Sequence, residues 1–481
     1  IVSLVVEAAN SWLSLSTRQH RKTQPAIMSD YASLLATIAG LQEQIDSMNG
    51  QLTEVRPFFI CSCPFPSRAV RARRAAEAGC PTAAAASPRG GAAGAAITPS
   101  PARRGRRGTR PPPQHRKLIE TGDIDAFWLI FGGVLVFWMQ AGFAMLEVGS
   151  VNKKNTKNIL VKNIFDACIA AIMWWAVGSA LANGADDYTA DASNGFAGTT
   201  GFFRKFDAGK HGNRSAYSKA GWFFGWTFAG AGCTIVSGAI AERATFLAYA
   251  LYSVILTGFV YPPVVHMMWT TGKFSAWRSG PKLFGDCGVI DFAGSGTVHM
   301  TGGVAALIAA ACIGVRKGFP DALPEGQPVY QALGILILWM GWYGFNCVST
   351  LYIDGYAQSA AHVAMTTTLG AAAGCLTTAA IGYVEKQYID PGYVYNGVLA
   401  GLVSITSPCA VVSPWGAIIV GAIGAFVYVG ASKGVKAAGI DDAVDAFAVH
   451  GACGAWGVIA CGLFATPFYY GVSYYSDRAK D

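Results

Sequence analysis

Two stretches of the chain carry the same chemistry at the same spacing. Asp291-Phe-Ala-Gly-Ser-Gly-Thr-Val298-His299 places an acid eight residues before a Val-His pair, and so does Asp442-Ala-Val-Asp445-Ala-Phe-Ala-Val449-His450. The echo continues past each imidazole, with Gly303 matching Gly454, Ile308 matching Ile459 and Ala309 matching Ala460. If each stretch is one helix, its histidine lies roughly 12 Å along the axis from its acid. In a hydrocarbon core about 30 Å thick, that is near the midplane. A single histidine on an apolar helix is usually a packed residue with one hydrogen bond. Repetition changes that balance, because ionisable groups inside membrane segments are costly and tend to mark ion or substrate pathways.

The elements that must position these residues are membrane helices. Hydrophobic residues make up 52% of the chain and charged residues 13%, with 58 glycines and a mean hydropathy of +0.36. This composition suits closely packed transmembrane helices. Apolar runs are expected as spans near 124 to 147, 160 to 182, 219 to 241, 245 to 269, 291 to 314, 329 to 350, 357 to 384, 393 to 412, 414 to 432 and 443 to 466, ten in all. Lys153, Lys154, Lys157, Arg243, Arg316, Lys317, Lys386, Lys433 and Lys436 fall in alternate loops, which the positive-inside rule makes cytoplasmic. The span of Asp291 then runs inward and that of Asp442 outward, as in inverted-repeat transporters, so the two imidazoles meet at the centre. The expected class is an all-α, polytopic membrane bundle of two inverted five-helix repeats.

Residues 1 to 120 are unlike the rest. Tyr31 to Leu52 has the pattern of a short amphipathic helix, whereas 56 to 115 is an Arg/Ala/Pro/Gly tract with little to bury, expected to be disordered. The first residue is Ile1 and the first methionine Met28, so translation is not expected to start at Ile1; read-through of a genomic segment accounts for 57 to 115. The net charge of +8 comes from this region. Residues 1 to 119 hold sixteen Lys and Arg against six Asp and Glu, leaving the body slightly acidic and giving nucleic-acid binding no support. The twelve cysteines lack paired metal-ligand spacing. No activated nucleophile or metal set surrounds the His and Asp residues, so neither enzyme chemistry nor a cofactor is expected.

Asp291-Phe-Ala-Gly-Ser-Gly-Thr-Val-His-Met-Thr-Gly-Gly with Gly314-Val-Arg316 resembles the signature of the ammonium transporters of the Amt/Mep/Rh family. Ala141-Gly-Phe-Ala-Met-Leu-Glu147, Ser237-Gly-Ala-Ile-Ala-Glu242-Arg243, Gly341-Trp-Tyr-Gly-Phe345-Asn346 and the Asp442 stretch extend the match over about 122 to 466, in the style of plant and algal members. The resemblance implies a homotrimer in the plasma membrane, each subunit with its own pore for ammonium or ammonia, methylammonium being a further candidate. It implies an outer recruitment site at Trp269, Phe228 and Ser349, a gate at Phe228 and Phe345, and a twin-histidine centre at His299 and His450. Phe224, one turn from Phe228, reads as gate or as packing. Asp291 is expected to act structurally and electrostatically, Asp442 and Asp445 as helix caps, Glu147 and Glu242 as partners of nearby Lys or Arg, and His266 and His362 as packing. An ammonium sensor and an Rh-like gas channel are the competing functions. The family's usual eleventh helix and cytoplasmic tail are missing from the sequence as it stands.

Overall fold

A computed structural model describes residues 121–184, 194–204, 216–276, 278, 282–283, 287–321 and 326–474. The expected disorder and the amphipathic helix at 31 to 52 lie outside the described residues. Eleven helices organise the described residues: α1 (Thr121–Ser150), α2 (Lys153–Asn183), α3 (Ala216–Ala239), α4 (Phe246–Trp269), α5 (Ser295–Ile313), α6 (Pro328–Thr350), α7 (Ala357–Lys386), α8 (Pro391–Thr406), α9 (Pro414–Ala437), α10 (Phe447–Phe464) and the short α11 (Pro467–Tyr474). Eight of them, all but α3, α8 and α11, are long and apolar enough to cross a membrane. Helices α3 and α8 occupy the other two expected positions. Helix α8 has only 16 residues because the apolar run continues as turns through residue 412.

Local chemistry sets several starts. The Thr245 hydroxyl accepts from the Ala248 amide to open α4. Asp390 and Ser413 cap α8 and α9, each followed by a proline at the first helical position, where a missing N–H costs nothing. Helix α1 lies along α6 through small residues: a methyl group at Gly334 would stand 2.5 Å from the Leu146 amide nitrogen. Helices α5 and α10 approach more tightly still. A Cβ on Gly303 would sit 2.1 Å from the Gly451 nitrogen, and one on Gly454 2.5 Å from the Ser295 carbonyl oxygen.

The five basic loops are joined at one end of the bundle. Glu242, after α3, accepts from the Asn152 amide at 2.9 Å and the Asn155 side chain at 2.7 Å, both between α1 and α2, and from Arg316 at 3.3 Å after α5. Arg316 grips Asp441 with Nε and Nη2, each at 2.8 Å, and Arg243 adds an ion pair to Asp441 at 3.5 Å. Burial works to raise the Asp441 carboxyl, but the Arg316 hydrogen bonds and the charges of both arginines hold it below the usual carboxylate range. Lys433 bonds Glu385, and Lys436 stands 3.7 Å from Asp445, tying in the loops around α8 and α10. At the opposite end, Asp125 near the start of α1 accepts from the Ile353 and Asp354 amides after α6. The basic loops therefore gather at one end of the bundle, and the start of α1 meets the segment after α6 at the other.

Two expectations follow. Asp441→Asn removes the charge that Arg316 and Arg243 share, leaving Arg316 its bond to Glu242 and Arg243 its backbone carbonyls, and is expected to cost about 1 to 3 kcal/mol, whereas Lys433→Ala, at an exposed pair, should cost under about 1 kcal/mol; thermal unfolding in detergent measures both. Gly303→Ala, by forcing α5 from α10, should destabilise by about 1 to 3 kcal/mol, while Gly430→Ala on α9, where a methyl group meets nothing within 4 Å, should be neutral or slightly stabilising in the same assay.

Candidate functional site

The histidines sit on matching local distortions. Ser295–Met300 and Phe447–Ala452 are both π-helical turns at the starts of α5 and α10, with His299 in the first and His450 in the second. Such widened turns rotate side chains relative to a regular helix and recur at functional sites. Gly294, at φ +108°, provides the left-handed entry into the first turn, and its carbonyl accepts from the Val298 and His299 amides. A side chain there would also strike the Trp269 indole, about 3.1 Å from a Cβ.

The acids stand outside these helices, which corrects the picture of one continuous helix from acid to imidazole. Asp291 lies in the turn before α5 and folds back on it, accepting from the Thr297 amide and hydroxyl at 2.7 Å each and from the Gly294 amide at 3.2 Å. Asp442 accepts from the Phe447 amide at 2.7 Å, capping α10. Burial, then the neighbouring Asp445 charge, raises the Asp442 carboxyl to about 6. Asp445 is not a cap. It sits at φ +58° and receives the Ser432 hydroxyl at 2.8 Å and the Tyr428 hydroxyl at 3.0 Å.

Aromatic rings and imidazoles form one column. Phe224 and Phe228, one turn apart on α3, have ring centres 4.7 Å apart. Phe228 stacks on Phe345 of α6 at 4.0 Å and 17°, and meets Trp269 of α4 edge-on at 6.0 Å. The Trp269 indole is fixed by donating to the Asp291 carbonyl at 2.6 Å. Phe345 lies 5.3 Å from the His299 ring, which stacks on Trp342 at 5.0 Å and 12°. Trp342 is itself held by a 2.7 Å bond to Thr406. The two imidazoles face each other with Nδ1 atoms 3.2 Å apart and rings 19° from parallel. His299 is fully buried, His450 nearly so, and the His299 Nε2 has no hydrogen-bond partner among the described residues.

Cavities flank this column. On one side is a space of about 610 Å³ lined by Phe224, Phe228, Trp269, Ser349, Tyr261 and Trp222, among others. Ser349, in the last turn of α6, donates to the Phe345 carbonyl at 2.8 Å, leaving its oxygen lone pairs to the cavity it lines. On the other side, a cleft of about 10 Å³ is lined by His450, Phe143, Glu147, Val444 and Leu399, among others. The sequence-derived residues Trp269, Phe228, Ser349, Phe224, Phe345, His299 and His450 are thus brought together. His266 bonds the Ala182 carbonyl at 3.1 Å, and His362 bonds the Val412 carbonyl at 2.8 Å and stacks on Tyr469, both away from the column.

One cluster escaped the sequence reading. Glu147 is not paired with Lys or Arg: it is 2% exposed and receives the Ser237 hydroxyl and, at 3.0 Å, the Asn163 amide. Lys162 buries its ammonium against the Ala244 carbonyl at 2.7 Å and over the Tyr249 ring. Asp166 collects Cys233, Thr234, Tyr249 and Ser253. The signal was available, since Lys162 and Asp166 stand four apart inside an apolar span, where charged residues are rare and have causes.

Comparison with known proteins places the chain in a family. Residues 126–480 match the profile of the Ammonium Transporter Family. The chain is 41% identical over 352 residues to ammonium transporter Amt2 of Archaeoglobus fulgidus, covering 72% of each protein. It is 42% identical over 367 residues to ammonium transporter 1 member 1 of Oryza sativa subsp. japonica, covering 73% of this chain and 71% of that one. Among solved structures, a sensor Amt protein superposes with a TM-score of 0.63 at 31% identity, over 73% of this chain and 84% of that one. Mep2 of Candida albicans gives 0.60 at 27%, over 72% and 74%. On its match to the family profile and to its relatives, and on its eight helices long and apolar enough to cross a membrane, this chain is an integral membrane protein and belongs to the Ammonium Transporter Family.

Proposed function

We propose that the chain carries ammonium across a membrane, recruiting the cation in the outer cavity and passing it as ammonia and a proton through the column. The observation that carries this reading is the stack of Phe228 on Phe345 between an aromatic cavity and a buried histidine pair. Trp269 and Phe228 offer π-faces to a small cation and Ser349 an acceptor oxygen, a pairing that suits a cation with N–H donors. With ring centres 4.0 Å apart, the two phenylalanines leave no water-filled path, so passage needs a ring to swing aside. A dry gate supports selectivity. Potassium cannot shed its charge and meets the full cost of desolvation, whereas ammonium becomes a neutral molecule by leaving one proton behind.

The histidine pair supplies the polar surface beyond the gate. Two Nδ1 atoms at 3.2 Å can share only one proton, one nitrogen donating while the other accepts. The unpaired Nε2 of His299 is left to bond a small polar solute. The matched π-turns and the separation of basic and non-basic loops support two inverted halves with the basic loops inside. A homotrimer in the plasma membrane, with lipid as the other neighbour, completes the proposal; neither nucleic acid nor a cofactor has a part in it.

Ammonium-evoked current and labelled methylammonium uptake in proteoliposomes test the reading. Trp269→Leu is expected to raise the half-saturation concentration by about 2- to 30-fold, the equivalent of a cation–π contact, and Ser349→Ala by about 2- to 13-fold, the equivalent of one hydrogen bond, each with a smaller effect on maximal rate. Unchanged half-saturation in both variants removes the recruitment site.

His299→Ala and His450→Ala should abolish selective uptake or let potassium compete, because the centre loses its polar pair and admits water. His362→Ala, outside the column, should retain both rate and selectivity. Full uptake and full potassium exclusion in both central variants would sink the twin-histidine role.

A further inference from the structure

The side of the histidine pair away from the aromatic cavity holds a buried acid that the transport reading leaves unused. Glu147 and His450 line the same cleft, about 10 Å³, which is close to the smallest space that admits one water. The two belong together by a second criterion. Phe143, one turn before Glu147 on α1, packs its ring 6.1 Å from the His450 imidazole, so one face of α1 presents Phe143 and Glu147 to His450 in succession. Among the described residues no Lys or Arg forms an ion pair with Glu147. Its oxygens accept only from the neutral Ser237 hydroxyl and Asn163 amide.

We infer that Glu147 is the proton-accepting group on the inner side of the histidine pair, reached from His450 through a single water. The inference rests on the transport reading above. In the step, an N–H bond of the His450 imidazolium breaks as its proton joins the water, while an O–H bond of that water breaks as its proton joins a Glu147 oxygen. Imidazolium and carboxylate become neutral imidazole and carboxylic acid, the water is regenerated, and no redox partner is needed. The acid then ionises toward the basic-loop end, where α1 finishes at Ser150. Ionisable neighbours are few. Helix α2 contributes Lys162 and Asp166, α10 contributes His450, and the segment before α10 brings Val444, with Asp442 two residues earlier. Helix α6 packs on this stretch of α1 through Gly334 and Leu338, and α3 through Ser237 and Ile235, none of them titratable.

The test uses the whole chain in proteoliposomes with the basic loops facing the lumen. Wild-type current should fall as the lumen is acidified, because a protonated Glu147 cannot accept. Glu147→Gln keeps the size of the side chain and one acceptor oxygen, enough for one of its two donors, Ser237 or Asn163. It should lose current by about 100-fold and lose the luminal pH dependence, with outer half-saturation unchanged; Glu147→Asp should restore part of both. A Gln variant with wild-type current and wild-type luminal pH profile overturns the inference while leaving transport intact. A wild-type protein that moves no ammonium sinks both. Should the Gln variant fail to fold, ammonium-induced infrared difference spectra of the wild type decide: a protonated-carboxyl band that moves on isotopic labelling of glutamate but not aspartate supports the role, and its absence overturns it.

Discussion

The arrangement depends on one close approach. Helices α5 and α10 cross with the Gly303 and Gly451 backbones in direct contact, a geometry in which even a methyl group would overlap the neighbouring amide. Lipid is as apolar as leucine, so close backbone packing, rather than expulsion of water, must hold such helices together. That crossing lies within one turn of His299 and next to His450. The same contact that binds the two helices therefore fixes the 3.2 Å separation of the imidazoles. Spreading the crossing by even an ångström would break the shared hydrogen bond and leave two buried imidazoles, each with an unmet polar atom, in an apolar core.

Every other feature of the column can be traced to the cost of burying polarity. The Trp342 indole, stacked on His299, is tethered to Thr406, and the Trp269 indole to the Asp291 carbonyl, so neither ring can turn without stranding a donor. Asp291 spends its acceptors on its own turn, which keeps the entry to α5 rigid beside the aromatic cavity. At the basic end, Arg243, Arg316, Glu242 and Asp441 neutralise one another across three loops, tying together the segments that follow α3, α5 and α9. Where this pairing is bidentate and buried it is integral to the end of the bundle; where it is exposed, as at Lys433 and Glu385, solvent takes most of its value.

The parts of this architecture legible in the sequence are those set by local pattern. Apolar run length located the helices, alternation of basic loops separated the two ends, and the duplicated Val-His stretches marked the residues that meet. What could not be read was geometry that depends on backbone conformation. Asp291 and Asp442 keep an eight-residue spacing from their histidines, yet Gly294 at positive φ breaks the first helix and the second begins only near Phe447. Both histidines then fall in π-turns, which no period of 3.6 anticipates. Asp445 looks like a cap by position but takes a left-handed conformation and faces Tyr428 and Ser432 instead. Lys162 and Asp166 were legible by type; their separate solutions, one on a carbonyl and one among four hydroxyl and thiol donors, depend on which helices surround α2.

The two sides of the histidine pair are built for different work. Toward the aromatic cavity stand π-faces and a hydroxyl, groups whose contacts with a cation are worth about one or two kcal/mol and which, in the proposed route, capture a hydrated cation without holding it. Toward Glu147 the space shrinks from about 610 Å³ to about 10 Å³, and polarity is carried by one carboxylate. In the proposed route a roomy aromatic site followed by a tight polar one means that the cation has given up both water and proton before the solute comes near the acid. Between them, Phe228 and Phe345 present no polar atom, so in the proposed route the species that passes between the rings is neutral. Selectivity then requires no cage fitted to ammonium. It follows from placing an apolar ring pair where a dehydrated ion would have to stand, with proton-exchanging groups within reach just beyond.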